Sequence, residues 1–545
     1  MSGTRAGRLK GFQDNLFKPN TSSFTADDYD STQPVCFLGN IDPKPNKQPT
    51  TGKCDQPLKI FDFQTEHMIE CKTEQHIKIC GKEIATVQNA ARTIQQLIDE
   101  NIPELTETIA QPTLVSFQIS LENCDPLSWL SQQASTTRLY WSDREASYEV
   151  AAAGETDRLF AEGEPHLTEL ILELQRRLAS SSEDIRYYGG LKFDSSSPAD
   201  HDWKPFGALL FVLPRYEMTK SQHGNTFTIN LVIQHGNEVE QQLLAEIQTL
   251  QTLCSAAPVS SQPLPIASIR TDSPNQKEWQ EIIDKSIQAF DSGCMEKIVL
   301  ARKTTMVFSE ELDPIRLLKQ LKDVVNRAFH FYFQFDGTPG FIGATPERLY
   351  KRIGETIFSE AVAGTRPRGN SPEADLAFAE DLLNSDKDVR EHQFVCKSIL
   401  DVMDELCTDI QSPAQVSLLK LARVQHLYNK YSATLKKGYG DADLLERIHP
   451  TPAVGGVPKK EAIRQIAALE PFDRGWYAGP IGWLSRNESE FAVGIRSALM
   501  MKNQLHIYTG AGIVKGSEAE SEWEEIENKL GSFLAIQQVN GTENA

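Results

Sequence analysis

Three features of the sequence predict a mixed α/β fold. Short runs such as TLVSFQISL, FGALLFVLP and EKIVLARKTTMVF are rich in β-branched and aromatic residues and read as strands. Longer segments, around 165–179, 238–254 and 373–406, carry apolar residues at helical spacing. The two kinds of segment alternate along the chain, which is the pattern of an α/β or α+β layout.

Taken in order, residues 1–56 are rich in Ser, Thr, Pro, Asn and Asp, and Pro43, Pro45 and Pro49 break them further. They predict a disordered or weakly ordered leader. LKIFDF and HIKICG then read as strands, followed by a helix over 84–102 that stops before Pro103. TLVSFQISL, SYEVAAAG, FGALLFVLP and FTINLVIQ supply further strands, interleaved with the helices at 165–179 and 238–254. SAAPVSSQPLPIAS, residues 255–268, is the best linker candidate.

The second half opens with a helix over 275–289. EKIVLARKTTMVF, AFHFYFQF and GFIGATPERLYKR read as strands, and helices follow at 373–406 and 459–469. FAVGIRSALMM and QLHIYTGAGIV form a hairpin before a last helix at 519–534. The chain therefore divides into a leader (1–56), an N-terminal α/β segment (57–270) and a core (271–540), with no internal repeat.

Composition narrows the function. A hydrophobic share of 40% with 24% charged residues fits a soluble globular chain and excludes a disordered one. The net charge of -20 argues against nucleic acid and against anionic membrane surfaces, but not against a small anion met by local cations. No apolar run approaches the ~20 residues of a membrane span. Nine irregularly spaced cysteines favour a reducing compartment without a disulfide framework. Cys71 and Cys80, with His67 and His76, match no zinc spacing. A cytoplasmic location follows, although Arg5, Arg8 and Lys10 precede the first acid, Asp14, and leave plastid or mitochondrial targeting open.

Two segments carry carboxylates at helical spacing. Asp388 and Glu391 stand at i, i+3 in DKDVREHQF, as do Glu522 and Glu525 in SEWEEIENKL, so each pair can share a helix face. Either segment alone reads as a solvated helix face. Together they offer the oxygen ligands that Mg²⁺ prefers. GAGIVKGS, just before the second pair, has glycines that let backbone approach a ligand. Glu347 follows a buried-looking strand in GATPE, where apolar surroundings would keep a carboxyl protonated and able to act as an acid. Lys297 begins the apolar run of EKIVLAR; it either snorkels to solvent or points inward as a base.

EKIVLAR, GATPERL, VAGTRPRG, SDKDVREHQFV, ARVQHLY, HPTPAVGG, EPFDRGWYAGPIGW, VGIRSA, YTGAGIVKGS and SEWEEIENKL, in this order, resemble the successive signatures of the chorismate-utilising enzymes. The resemblance covers half the chain. It implies large, mostly antiparallel sheets flanked by helices, with the N-terminal segment adding strands to them. It also implies chorismate as substrate and Mg²⁺ as cofactor. The charge and the lack of an apolar span leave no place for nucleic acid or membrane as partners, and the chain is expected to be a monomer.

Within the family, Lys297 occupies the place of the lysine that activates water, where ammonia-using anthranilate synthases resemble this motif with glutamine. Ala363 stands where aminodeoxychorismate synthases carry a nucleophilic lysine. The HPTPAVGG version is similar to isochorismate synthases of the menaquinone, phylloquinone and plant type, with a salicylate synthase or an anthranilate-type subunit as alternatives. By resemblance, Lys297 is the general base and Glu347 the general acid. Glu391 and Glu525 are the direct Mg²⁺ ligands, with Asp388 and Glu522 supporting them. Arg496, Lys529 and the Gly512 N–H meet the enolpyruvyl carboxylate, and Gly364 and Thr365 line the site near the leaving hydroxyl. His392 is expected to face away, and Pro450 and Pro452 to stiffen a wall.

Overall fold

Single strands feed two different cores, because successive side chains of a strand point to opposite faces. In strand Arg138–Ser142, Leu139 and Trp141 enter one core and Tyr140 the other. In Tyr148–Ala161, Val150 and Ala152 alternate in the same way with Ala151 and Ala153. Helices Leu167–Ala179, Gln276–Asp291 and Asp386–Leu406 cover the first core. Helices Ala90–Thr108, Glu238–Leu253 and Pro314–Val324 cover the second.

The computed structural model describes residues 75–539 except 164–166, 198, 237, 254–257, 261, 338 and 421–423. All of them belong to one unit, Gln56–Ala545. The strands described form one hydrogen-bonded system of 21, mostly antiparallel; His76–Ala85 and Thr113–Leu121 run parallel. The mixed α/β fold with a large antiparallel sheet is thus as the sequence predicts. Strand Arg138–Ser142 pairs with Phe329–Gln334, and Tyr187–Leu191 with Pro480–Leu484, so strands from either side of residue 270 are hydrogen-bonded neighbours. The leader and LKIFDF lie outside the described residues, as does part of the linker candidate. The end of that linker continues into strand Ala267–Ser273, which pairs with Lys297–Phe308.

Several elements differ from the sequence reading, each for a local reason. Residues 84 and 85 end a strand, and the helix begins only at Ala90. It runs through Pro103 to Thr108, because a proline removes one hydrogen bond while buried Leu105 anchors the next turn. Pro214 sits inside strand Leu209–Ser221, where the partner strand shifts register between Glu155 and Asp157. A bulge there accommodates the missing N–H.

Three continuous-looking segments are in fact broken. GFIGATPERLYKR forms two strands, Gly340–Thr345 and Arg348–Ile353, interrupted at Pro346 and Glu347. The helix over 373–406 is two helices, Pro372–Asn384 and Asp386–Leu406, parted at Ser385, whose side chain caps the second by accepting from the Asp388 N–H. FAVGIRSALMM splits into Glu488–Val493 and Ser497–Met501, with Arg496 at φ 46° between them. Strand Gln504–Val514 completes the hairpin with Ser497–Met501.

Among the described residues, no helix is long and apolar enough to cross a membrane. The cysteines depart from expectation at one place: Cys294 is disulfide-bonded, whereas Cys80, Cys124, Cys396 and Cys407 are free. His67 and Cys71 lie outside the described residues. His76 spends both ring nitrogens on Ser116 and the Ser182 N–H, away from any metal role.

Candidate active site

Strands Lys297–Phe308 and Gln504–Val514 run antiparallel, with Lys297 opposite Val514, Val299 opposite Gly512 and Ala301 opposite Gly510. Lys297 opens its strand with a fully buried side chain, so it does not snorkel to solvent. Its Nζ donates to Glu391 Oε1 at 2.9 Å. A Cβ on Gly512 would stand 2.6 Å from that same oxygen, so glycine is what gives the Glu391 carboxylate its room.

Beside this pair opens a cavity of about 290 Å³. Glu347 reaches it from the break between two strands, and Gly364 and Thr365 from strand Thr356–Pro367. Asp388 and Glu391 enter from helix Asp386–Leu406, Arg496 from the hairpin break, and Glu525 and Lys529 from helix Ala519–Val539. Gly364 has φ +69°, and a Cβ there would press on Asp388 at 3.0 Å. Three expected site residues do not line the cavity: Lys297 is hydrogen-bonded to the lining residue Glu391, Gly512 makes room for that carboxylate, and Glu522 turns to Lys387. The part of the Gly512 strand that faces the cavity is Tyr508, Thr509 and Gly510.

Electrostatics divide the carboxylates. Burial pushes the Glu347 carboxyl up to about 7, against the pull of Lys297, Arg496 and Lys529. Glu347 therefore holds its proton into the neutral range. Burial works the same way on Glu525, but Lys529, 2.7 Å away, overcomes it and keeps Glu525 below the ordinary carboxylate range. Asp388 is paired with Arg366 at 2.9 Å. Buried Glu522 pairs with Lys387 at 2.7 Å, which ties the first turns of the two acidic helices together. Burial prevails over that lysine and raises the Glu522 carboxyl.

Sequence reasoning missed several residues of the cavity wall, among them His426 and Tyr477. His426, in strand Val424–Leu435, places Nδ1 3.0 Å from the Gly364 carbonyl and 3.0 Å from Thr365 Oγ1. A carbonyl only accepts, so Nδ1 carries the proton and Nε2 turns its lone pair toward Arg496 at 3.5 Å. Burial, with Arg496 beside it, lowers His426 to about 3 and keeps the ring neutral. Tyr477 stacks on Tyr508 with centroids 5.3 Å apart and also lines the cavity. Both sit inside quoted motifs, ARVQHLY and EPFDRGWYAGPIGW, but nothing in their spacing singles them out. His392 turns elsewhere, with Nε2 2.8 Å from Asn429 Oδ1. Pro450 and Pro452 adjoin the lining residues Ala453 and Val454.

The donor set suits a hard cation. Among the described residues no three His, Cys, Asp or Glu side chains converge into a ready-made cage. Mg²⁺ needs none, because it keeps waters and takes one or two carboxylates plus substrate oxygens. Glu391 and Glu525 project into one cavity from two helices, and Glu522 Oε2 is buried without a hydrogen-bond partner. The residues present therefore fit such an ion, with spare acceptor capacity beside it.

Comparison with known proteins identifies the family. The family model described as "Chorismate binding enzyme" matches residues 96–537. The chain is 34% identical over 407 residues to the chloroplastic isochorismate synthase of Catharanthus roseus, covering 73% of this chain and 70% of that protein. It is 32% identical over 425 residues to the isochorismate synthase MenF of Escherichia coli (strain K12), covering 76% and 91%. The solved structure of the menaquinone-specific isochorismate synthase MenF from Escherichia coli superposes with a TM-score of 0.71 at 29% identity, over 81% of this chain and 98% of that one. The match over most of its length, and over every element that walls the cavity, makes this chain a member of the chorismate-binding enzyme family.

Proposed function

We propose that the chain is an isochorismate synthase, converting chorismate to isochorismate by adding water at C2 and releasing the C4 hydroxyl. The observation that carries this reading is the pairing of a buried lysine, Lys297, with a carboxyl that stays protonated to about pH 7, Glu347, near enough for their charges to interact. That combination supplies a base for water and an acid for a poor leaving group. The relatives named isochorismate synthase support the same assignment.

In this scheme Lys297 takes a proton from water as its oxygen bonds to C2. The two conjugated ring double bonds shift, C1=C2 to C1=C6 and C5=C6 to C4=C5, the C4–O bond breaks, and Glu347 passes its proton to the departing hydroxyl, which leaves as water. Arg496 and Lys529 meet the enolpyruvyl carboxylate, Arg496 through its planar fork. Gly364 and Thr365, braced by neutral His426, shape the wall near the leaving group. Glu391 and Glu525 would hold Mg²⁺, with Asp388 and Glu522 supporting them, and the ion would supply the positive charge that fixes the ring carboxylate.

The test is a product assay on chorismate with Mg²⁺ and with EDTA. Isochorismate as sole product, lost in EDTA and restored by Mg²⁺, is the expected result. Salicylate with pyruvate would assign the chain to the salicylate synthases. Anthranilate formed from ammonia or glutamine would assign it to the anthranilate class, and turnover that persists in EDTA would remove the metal from the scheme.

A further inference from the structure

The turn that carries Glu347 is gripped from behind by a buried ion network that the chemistry above does not use. Arg144, in the turn after strand Arg138–Ser142, donates Nη1 to the Pro346 carbonyl at 3.0 Å. The same guanidinium makes a two-pronged pair with Glu360, at 2.7 and 2.8 Å. Arg348 donates to Glu360 at 2.8 Å and to Glu490 at 3.0 Å. The residues on either side of Glu347 are thereby tied to one carboxylate, whose side chain is only 1% exposed. Glu360 stands on strand Thr356–Pro367, which also presents Gly364 and Thr365 to the cavity.

Burying three charges is expensive, and such networks are poor sources of net stability. What they do provide is a fixed geometry, since each guanidinium fork has few ways to satisfy its partner. Glu347 itself shows why fixity matters. Its backbone N–H donates to Thr345 Oγ1 and its carbonyl accepts from the Val493 N–H, and small displacements of a positioned acid are costly to rate. We propose that Arg144, Glu360 and Arg348 are positioning residues for the acid Glu347, so that the N-terminal half of the chain contributes to turnover through Arg144. This rests on Glu347 being the acid of the proposed reaction.

The groups that face Glu347 are Lys297 on its strand, Arg496 at the hairpin break, Lys529 on the last helix, Tyr477 and Glu360. Glu360 pushes the Glu347 carboxyl up, and the two arginines offset part of that charge. Variants of the network should therefore move the alkaline limb of the pH profile, where Glu347 ionises, in opposite directions. Arg144→Met leaves Glu360 less compensated and shifts the limb to higher pH. Glu360→Gln removes the negative charge and shifts it to lower pH.

The experiment measures kcat, KM and the pH dependence of kcat/KM for full-length Arg144→Met, Arg144→Lys and Glu360→Gln, with thermal unfolding of each. The expected result is a kcat loss of roughly ten- to hundredfold with KM nearly unchanged, since the acid is misplaced while the substrate contacts remain. Arg144→Lys, which keeps the charge but loses the fork, should lose kcat with the limb in place. Wild-type kcat in Arg144→Met, or losses that follow lowered thermal stability with unmoved limbs in both variants, would overturn the proposal. Arg144→Lys serves as the decisive variant if the other two fail to fold: wild-type kcat in it also overturns the proposal. Glu347→Gln separates the two layers. If it stays active, the functional reading fails; if it is inactive while the network variants behave as wild type, only the positioning role fails.

Discussion

Burial acts on Lys297 and Glu347 through different partners. Lys297 is enclosed with the carboxylate of Glu391 within hydrogen-bond reach, whereas burial outweighs the cations around Glu347 and its proton stays on to about pH 7. Lys297→Ala and Glu347→Gln should each lower kcat by about 100-fold or more, the effect of losing one positioned base or acid. The double variant should be scarcely worse than either single one, because both groups serve one transition state. Steady-state assays decide this; losses below about threefold, under ~1 kcal/mol, would mean that neither residue meets the reaction. Glu347 also leaves a mark on stability. Its carboxyl is held near 7 in the folded chain against an ordinary 4.5, so folding binds the proton more tightly. Wild-type stability relative to Glu347→Gln should be constant below pH 4.5, fall as pH rises from 4.5 to 7, and level off above. The whole change amounts to about 3 kcal/mol. Urea unfolding of both proteins across that range checks it, and a parallel pair of curves would show that the carboxyl is not shielded from water.

Between elements, the decisive contact is the close approach of strand Gln504–Val514 to Glu391. Gly512→Ala fits an extended strand, but its Cβ would arrive 2.6 Å from Glu391 Oε1 and push the carboxylate aside. The variant should fold normally and need roughly tenfold more Mg²⁺ for half-maximal rate, the size of effect seen when a ligand's support is disturbed. A Mg²⁺ titration of activity measures this, and an unchanged requirement would remove Glu391 from the ligand set. This level also shows what the sequence could reveal. Helical spacing was enough to bring Asp388 and Glu391 to one face, since i, i+3 neighbours always lie close. It could not say that Glu522 would turn to Lys387 while Glu525 faces the cavity, because a shared face spans a wide arc. The strand breaks at Pro346 and at Arg496 were illegible for a related reason. Their flanks, GFIGAT with RLYKR and FAV with SALMM, are all strand formers, and only tertiary pairing decides where the ladder stops. His426 was hidden because VQHLYNKYSATL alternates like any strand; its role comes from Gly364, Thr365 and Arg496, which the fold delivers from far along the chain.

At the scale of the whole molecule, the local cations Arg366, Lys387, Arg496 and Lys529 around the cavity reconcile an anionic substrate with a net charge of -20. The same scale bears on whether residues 271–540 could serve as an independent catalytic core. Strand Tyr187–Leu191 lies between Leu209–Ser221 and Pro480–Leu484, so removing the N-terminal segment would expose the edge of Pro480–Leu484. The aromatic centre is shared as well. Phe206 packs on Trp476 and Phe335 with centroids 5.1 and 5.7 Å away, and Trp203 packs on Phe341 and Tyr508 at 5.4 and 5.9 Å. Deleting one buried aromatic typically costs about 3–5 kcal/mol, and a whole domain is stable by only about 5–15. Losing Trp141, Trp203 and Phe206 together would therefore cost about 9–15 kcal/mol, comparable to the whole stability of a domain. A fragment of residues 271–545 should accordingly show no cooperative thermal transition and no turnover of chorismate, and co-expression with residues 57–270 should restore both. A soluble fragment with a sharp melting transition would mean that the second half carries a core of its own. If that fragment folded but stayed inactive until the N-terminal segment was added, the missing contribution would be Arg144 and its hold on the Glu347 turn rather than the fold.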